Sequence, residues 1–352
     1  MIMKSKQYQQ DVEMTAQLPL DWGKLRRTSI LLTGACGLIG SFLIDVLMCR
    51  NRLAGEKITV CGVTRNEKKA RERFAPYLGE GLSFLEWDVT KPCPKEGASF
   101  DYIIHGASNT HPLAYASDPV GTIGGNILGL WHLMELAVSH LPRRLLLLSS
   151  VEIYGENRSG KDSFSEEDLG YLNCNTVRAG YPESKRLSES LCQAFYDQYG
   201  VEFVTARLSR VYGPTMRMED SKALSQFIKN AVRGEDVVLK SEGNQYYSYT
   251  YVADAVYALL LILLKGESAE AYNVADEGSD ITLRDLAGLL AGQAGTQVVF
   301  QIPDSGEKKG YSTATRAILD AGRLKELGYR SLYPIGTGIA HTVSILREIG
   351  LR

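Results

Sequence analysis

Tyr181 and Lys185 stand four residues apart in Tyr181-Pro182-Glu183-Ser184-Lys185. On a helix that spacing puts a phenol and an ammonium on one face, about one turn apart. A free tyrosine has a pKa of about 10 and is a poor base at neutral pH. A neighbouring lysine cation favours the phenolate and prepares it for acid–base work. Earlier in the chain an apolar run ends at Ser149-Ser150-Val151-Glu152-Ile153-Tyr154-Gly155. A hydroxyl there can hydrogen-bond the substrate oxygen whose proton Tyr181 removes. Glu152 has two readings: a catalytic carboxylate, or a side chain bound to backbone N–H groups beside the loop.

A second group of residues suits a dinucleotide. Thr33-Gly34-Ala35-Cys36-Gly37-Leu38-Ile39-Gly40 follows a short apolar run and opens an apolar helical stretch. Strand, glycine turn and helix in that order lift such a motif above chance. Gly34 can take the positive-φ turn, Gly37 lets the backbone approach a pyrophosphate, and Gly40 lets helix and strand pack closely. The N–H groups and positive dipole end of the helix then face the phosphates.

These residues need a scaffold, and the rest of the chain supplies one. Strand-like runs near 30–33, 58–63, 82–87, 102–105, 145–149 and 203–208 alternate with helical patterns, notably 41–51, 120–140 and 184–199. Such alternation implies right-handed βαβ crossovers and a doubly wound parallel α/β sheet of Rossmann type, with ligands at the strand carboxyl ends. Beyond Tyr212-Gly213-Pro214 the alternation weakens. We therefore expect an N-terminal lead (1–27), a dinucleotide-binding domain with the catalytic residues (28–212) and a smaller, mainly substrate-binding C-terminal lobe (213–352), with some chain crossing between the lobes.

Composition narrows the partners. The chain is 44% apolar and 23% charged with a net charge of −2, which gives no reason to expect nucleic acid or an anionic membrane. The most apolar run, 258–264, is too short to span a bilayer, and residues 1–17 lack a signal-peptide core. Six cysteines without a C-x-x-C pair and five scattered histidines imply a cytoplasmic protein with neither a disulfide framework nor a metal site. His105 and His111 read as structural.

The wide glycine spacing resembles the short-chain dehydrogenase/reductase superfamily. Together with Asp88-Val89, His105-Gly106-Ala107-Ser108, Asn126, S-S-V-E-I-Y-G, Y-P-E-S-K and Arg207-Leu208-Ser209-Arg210-Val211-Tyr212-Gly213-Pro214, it resembles an extended member: the NAD-dependent epimerase/dehydratase family, which acts on nucleotide sugars. The resemblance implies Ser150 as catalytic hydroxyl, Tyr181 as base and Lys185 as its electrostatic partner and a ribose contact. It places Asp88 and Val89 beside the adenine, and Gly106, Ala107 and Ser108 along the path to the nicotinamide. Cys36, Leu38 and Ile39 lie in the phosphate turn. It implies transient oxidation of a sugar hydroxyl, usually at C4, with the cofactor recycled. It also implies a homodimer through helices near 120–140 and 184–199. Relatives with S-T-x-E-x-Y-G, the 4,6-dehydratases and UDP-glucuronate decarboxylases, carry a glutamate at the position of Glu152; in dehydratases it abstracts the C5 proton, and the resemblance implies a catalytic role for Glu152.

Three departures from that pattern bear on the reaction. Val151 stands where dehydratases carry an acid or serine, which argues against efficient dehydration. Tyr247 stands where decarboxylases carry an arginine near the substrate phosphates, which argues against a carboxylated sugar. Arg210 replaces the usual asparagine; it either contacts the pyrophosphate in the missing arginine's stead or forms a surface ion pair. Arg217, in the following loop, is a further substrate contact by resemblance. Arg65 after the second strand, with no acid until Glu67, shifts the balance slightly from NAD toward NADP. A 4,6-dehydratase or epimerase is expected; a UDP-glucuronate decarboxylase-like enzyme and a non-catalytic dinucleotide-binding protein are the alternatives.

Overall fold

The computed structural model describes residues 2–94, 97–110, 112–301 and 314–350. In chain order the N-terminal half contains α1 (Lys6–Gln17), β1 (Ser29–Thr33), α2 (Leu38–Ala54), β2 (Thr59–Thr64), α3 (Glu67–Arg73), β3 (Leu82–Glu86) and β4 (Tyr102–His105). It continues through α4 (Pro112–Ser117), α5 (Pro119–His140), β5 (Arg144–Ser150), α6 (Gly180–Tyr199) and β6 (Phe203–Leu208). The remainder contains β7 (Arg210–Tyr212), α7 (Ala223–Arg233), β8 (Val237–Leu239), β9 (Tyr246–Tyr251), α8 (Val252–Lys265), β10 (Ala271–Val274) and β11 (Asp280–Thr282). It closes with α9 (Leu283–Ala294), β12 (Val298–Phe300), β13 (Arg316–Ala317), α10 (Gly322–Glu326) and α11 (Ile335–Glu348).

Seven parallel strands form the main sheet in the order β10-β6-β5-β4-β1-β2-β3. Alternate residues along one strand feed two cores. Ile30 and Leu32 face the core that contains α2 and α8, whereas Leu31 joins Leu130, Leu133 and Phe195 of α5 and α6. Because both faces are covered, the strands read as continuous apolar runs rather than alternating ones. The strand order reverses between β1 and β4, so their carboxyl ends, at Thr33 and His105, open the crevice in which such sheets bind ligands.

The C-terminal half adds a four-stranded sheet, in which β9 pairs with β7, β11 and β13, and a parallel β8–β12 pair. The tyrosine-rich strand β9, which sequence alternation marks as half-buried, is almost wholly buried because the sheet and α11 enclose it. Strand β10 returns to the edge of the main sheet beside β6. Helix α8 is buried along nearly its whole length, which explains the apolar run at 258–264. No described helix is long and apolar enough to cross a membrane.

The polar N-terminal segment docks through paired polar groups. Tyr8 donates to Asp45 at 2.5 Å, and Tyr251 donates to Asp11 at 2.7 Å, both in buried surroundings. Cys36, Cys49, Cys174 and Cys192 are free thiols, and no metal-binding cluster occurs among the described residues.

Candidate active site

At the cofactor end, Gly34 has φ +74°, and a Cβ there would lie 2.6 Å from the Gly106 carbonyl oxygen. A Cβ on Gly40 would lie 2.3 Å from the Gly34 carbonyl oxygen, so both positions require glycine. Gly37 caps α2, which therefore starts at Leu38, before the apolar periodicity that begins at residue 41. A helix's first turn leaves backbone N–H groups without intrahelical partners, here those of Leu38 and Ile39 at the turn. A glycine cradle that excludes side chains, with open amides at a helix start, fits a dinucleotide pyrophosphate.

Thr33 joins the two strand ends, a role the sequence did not advertise. Its hydroxyl accepts from the N–H groups of Gly106 (3.2 Å) and Ala107 (3.1 Å) and lies 2.8 Å from His105 Nδ1. With its acceptor sites used, Thr33 donates to Nδ1, which places the ring proton on Nε2. Burial holds His105 down at about 3, so the ring is neutral and structural. His111 lies outside the described residues. Ser108 donates to Asn126 (2.7 Å), Asn126 donates to Ser184 (2.8 Å), and Ser184 donates to the Tyr181 carbonyl (2.8 Å). The loop after β4 is thereby tied to α6.

The remaining cofactor candidates lie along this edge. Cys36 is half-buried 3.9 Å from the Thr64 hydroxyl, and burial pushes its thiol up. Arg65 is exposed after β2. Asp88 accepts from Thr90, which holds its carboxyl below the usual range, with Arg65 a smaller contributor. The Val89 carbonyl accepts from His132, and its side chain packs against Gly129. Thr215 donates to the Leu38 carbonyl at 2.7 Å, which brings the loop carrying exposed Arg217 over the glycine turn.

The catalytic candidates meet at the start of α6. Tyr181 and Lys185 are both buried. Lys185 Nζ donates to the Leu148 carbonyl at 2.9 Å, and burial lowers its ammonium to about 8. Burial pushes the Tyr181 phenol well up and Glu152 adds to this, while hydrogen bonding with Ser150, the Arg178 charge and a hydrogen bond with Tyr115 oppose it. Ser150 is thus beside the phenol. Ser149 is engaged elsewhere, donating to Glu189 at 2.5 Å.

Two further residues complete this cluster. Arg178 Nη2 donates to both Glu152 carboxylate oxygens, at 2.8 and 2.7 Å. Its guanidinium also lies 4.8 Å from the centre of the Tyr115 ring, which stacks on Tyr181 at 4.7 Å. Arg178 is three residues ahead of Tyr181, at the entrance of the catalytic helix. That position was the available signal for it; Tyr115, in α4, had none. Val151 is buried and offers no proton.

Arg210 lies with its guanidinium 3.4 Å from the Tyr247 ring centre, and its Nη1 is buried without a hydrogen-bond partner among the described residues. The Tyr247 hydroxyl donates to the Ala314 carbonyl at 2.6 Å. The position where decarboxylases carry arginine therefore holds a tyrosine ring with a different arginine stacked against it.

The profile of the NAD dependent epimerase/dehydratase family matches residues 30–275. The chain belongs to that family. It is 30% identical over 326 residues to UDP-glucuronic acid decarboxylase 1 of Xenopus tropicalis, covering 92% of this chain and 73% of that protein. It is 33% identical over 259 residues to UDP-glucuronic acid decarboxylase 6 of Arabidopsis thaliana, covering 73% and 72% of the two chains. Among solved structures, dTDP-glucose 4,6-dehydratase of Streptomyces venezuelae, with NAD bound, superposes with a TM-score of 0.74 at 26% identity, covering 91% and 97%. The protein is an NAD-dependent epimerase/dehydratase family enzyme of nucleotide-sugar modification, and NAD is the cofactor these comparisons support. The NADP lean drawn from Arg65 gains no support from them.

Proposed function

We propose that this enzyme oxidises a nucleotide sugar at C4, transforms the resulting ketone and reduces it again, so that the cofactor is regenerated. The observation that carries the reading is the buried phenol of Tyr181 beside Ser150, one helical turn from Lys185. When bound, NAD supplies hydride acceptance and return. Ser150 hydrogen-bonds the sugar hydroxyl, Tyr181 removes its proton, and Lys185 holds ribose hydroxyls and favours the phenolate. Gly34, Gly37 and Gly40 admit the pyrophosphate, and Arg210 and Arg217 supply positive charge toward the substrate diphosphate. Residues from 213 onward contribute most of the substrate side.

Of the transformations open to the ketone, epimerisation at C4 needs the fewest additional groups. Dehydration needs a base at C5 and an acid for the leaving oxygen. Val151 cannot be that acid, and both oxygens of Glu152 are engaged by Arg178. Decarboxylation is the second reading; the names of the curated relatives favour it, as does the unpartnered Nη1 of Arg210 as a contact for a carboxylate. Mass spectrometry of reactions with UDP-, dTDP-, GDP- and CDP-sugars and NAD separates these outcomes. Unchanged mass with altered retention means epimerisation, loss of carbon dioxide means decarboxylation, and loss of water restores Glu152 as a C5 base. No conversion of any sugar contradicts the proposal.

We also propose a homodimer through α5 and α6. Leu130 and Leu133 face the sheet, whereas Leu128 and Trp131 of α5 and Leu187 and Tyr199 of α6 are exposed. One helix thus serves the core on one side and leaves an apolar strip on the other. Light scattering should give twice the chain mass; a monomer would contradict this.

A further inference from the structure

We propose that Arg178 is a positioning residue that cancels the charge of Glu152 beside Tyr181 and, through the Tyr115 ring, holds the phenol against Ser150. The proposal rests on the reading that Tyr181 is the base. Three separate segments converge to make the arrangement: α4 brings Tyr115, the short turn before α6 brings Arg178, and the loop after β5 brings Glu152. Tyr115 contacts both partners, with the guanidinium 4.8 Å from its ring centre and the Tyr181 ring stacked 4.7 Å away at an interplanar angle of 25°. The ion pair is enclosed, its side chains 20% and 24% exposed, so its charges are screened less than those of a surface pair. Removing one partner would leave the other charge unopposed near the phenol.

The charges around Tyr181 set the sign of the effect. Lys185 lies on the same helix, Glu152 and Arg178 lie beside the phenol, and Asp220 acts on Tyr115. Glu152 and Arg178 act on the phenol in opposite directions. A base must be deprotonated to work. Loss of Arg178 alone therefore moves Tyr181 ionisation, and the rising limb of the rate, to higher pH. Loss of Glu152 alone moves the ionisation to lower pH, and loss of both restores it toward the starting value.

The test uses Arg178→Gln, Arg178→Lys, Glu152→Gln and the Arg178→Gln/Glu152→Gln double variant as NAD complexes. Tyrosinate absorbance is titrated in each and corrected by subtracting the same protein carrying Tyr181→Phe. The kcat/KM profile is measured beside it with the sugar nucleotide that the unmodified enzyme converts. Arg178→Gln should shift both curves alkaline by roughly one pH unit, a tenfold loss of kcat/KM at neutral pH, with a smaller change in KM. Arg178→Lys keeps the cation and should titrate near the unmodified protein. Glu152→Gln should shift acid, an opposite sign that general misfolding would not produce. An unmoved titration in Arg178→Gln, or the same shift in single and double variants, overturns the proposal. Failure of the unmodified enzyme to convert any nucleotide sugar overturns the functional reading instead, and the absorbance titration still reports on Arg178.

Discussion

Two arginine–glutamate pairs lie close to the carboxyl end of β5, and they are built for different ends. Arg207, on β6, uses all three of its nitrogens: two on Glu189, and Nη1 on the Tyr154 hydroxyl (3.0 Å) and the Glu166 carbonyl (2.6 Å). Tyr154 in turn donates to Asn273 of β10 at 2.6 Å, so the network fastens the returning strand to the main sheet. Arg178, in the cleft, holds Glu152 with one nitrogen, leans on an aromatic ring, and has a buried Nε without a partner among the described residues. Arg207 has every nitrogen engaged by protein groups and so fastens structure, whereas Arg178 keeps a buried Nε that no described group satisfies.

The contrast predicts where each substitution registers. Arg207→Ala should have the largest effect on folding, about 3–5 kcal/mol of stability by urea denaturation, because Glu189, largely enclosed, would lose its guanidinium partner and Tyr154 and Glu166 would lose a donor. A loss under about 1 kcal/mol would remove the distinction between the pairs. Tyr181→Phe should lower kcat by roughly 10²–10⁴-fold while NAD binding, followed by fluorescence titration, stays close to that of the unmodified protein. Retained turnover would break the assignment of the base. Glu152→Gln should move the rising limb of the rate to lower pH without loss of turnover at neutral pH and change stability by less than about 1 kcal/mol, since it keeps the shape and partly relieves a half-buried charge. A stability loss comparable with that of Arg207→Ala would mean that Glu152 belongs to the structural class. The smallest effect belongs to the cofactor edge. Arg65→Ala should change the ratio of NAD to NADP affinity only a few-fold, because Arg65 is exposed after β2; a change above about a hundredfold would make it the determinant of cofactor choice.

How much the sequence revealed follows the same division. The glycine turn and the run ending at Ser150 were legible because they are contiguous and their backbone needs are local: positive φ at Gly34, close approach at Gly40. Tyr181 and Lys185 were legible because one helical turn brings them together. The contact of Tyr115 with Arg178 and Tyr181 was not, because Tyr115 lies on a different element and pattern within one segment carries no record of it. Thr33 opens the glycine motif, yet its role as the joint between β1 and the loop after β4 depends on strands being neighbours. In the C-terminal half, alternation marked β9 correctly as a strand but missed its burial on both faces, because the covering elements come from distant parts of the chain. Arg210 and Tyr247 were each recognised as departures; their stacking became visible only once β7 paired with β9.

The most direct test of the account follows a deuterium placed at C4 of the sugar of a converted nucleotide. Transient oxidation predicts that the label stays in the product and that no stoichiometric NADH accumulates, because the hydride that leaves the sugar is the one returned to it. Label lost to solvent, or one NADH formed per sugar consumed, would contradict oxidation and return at this site.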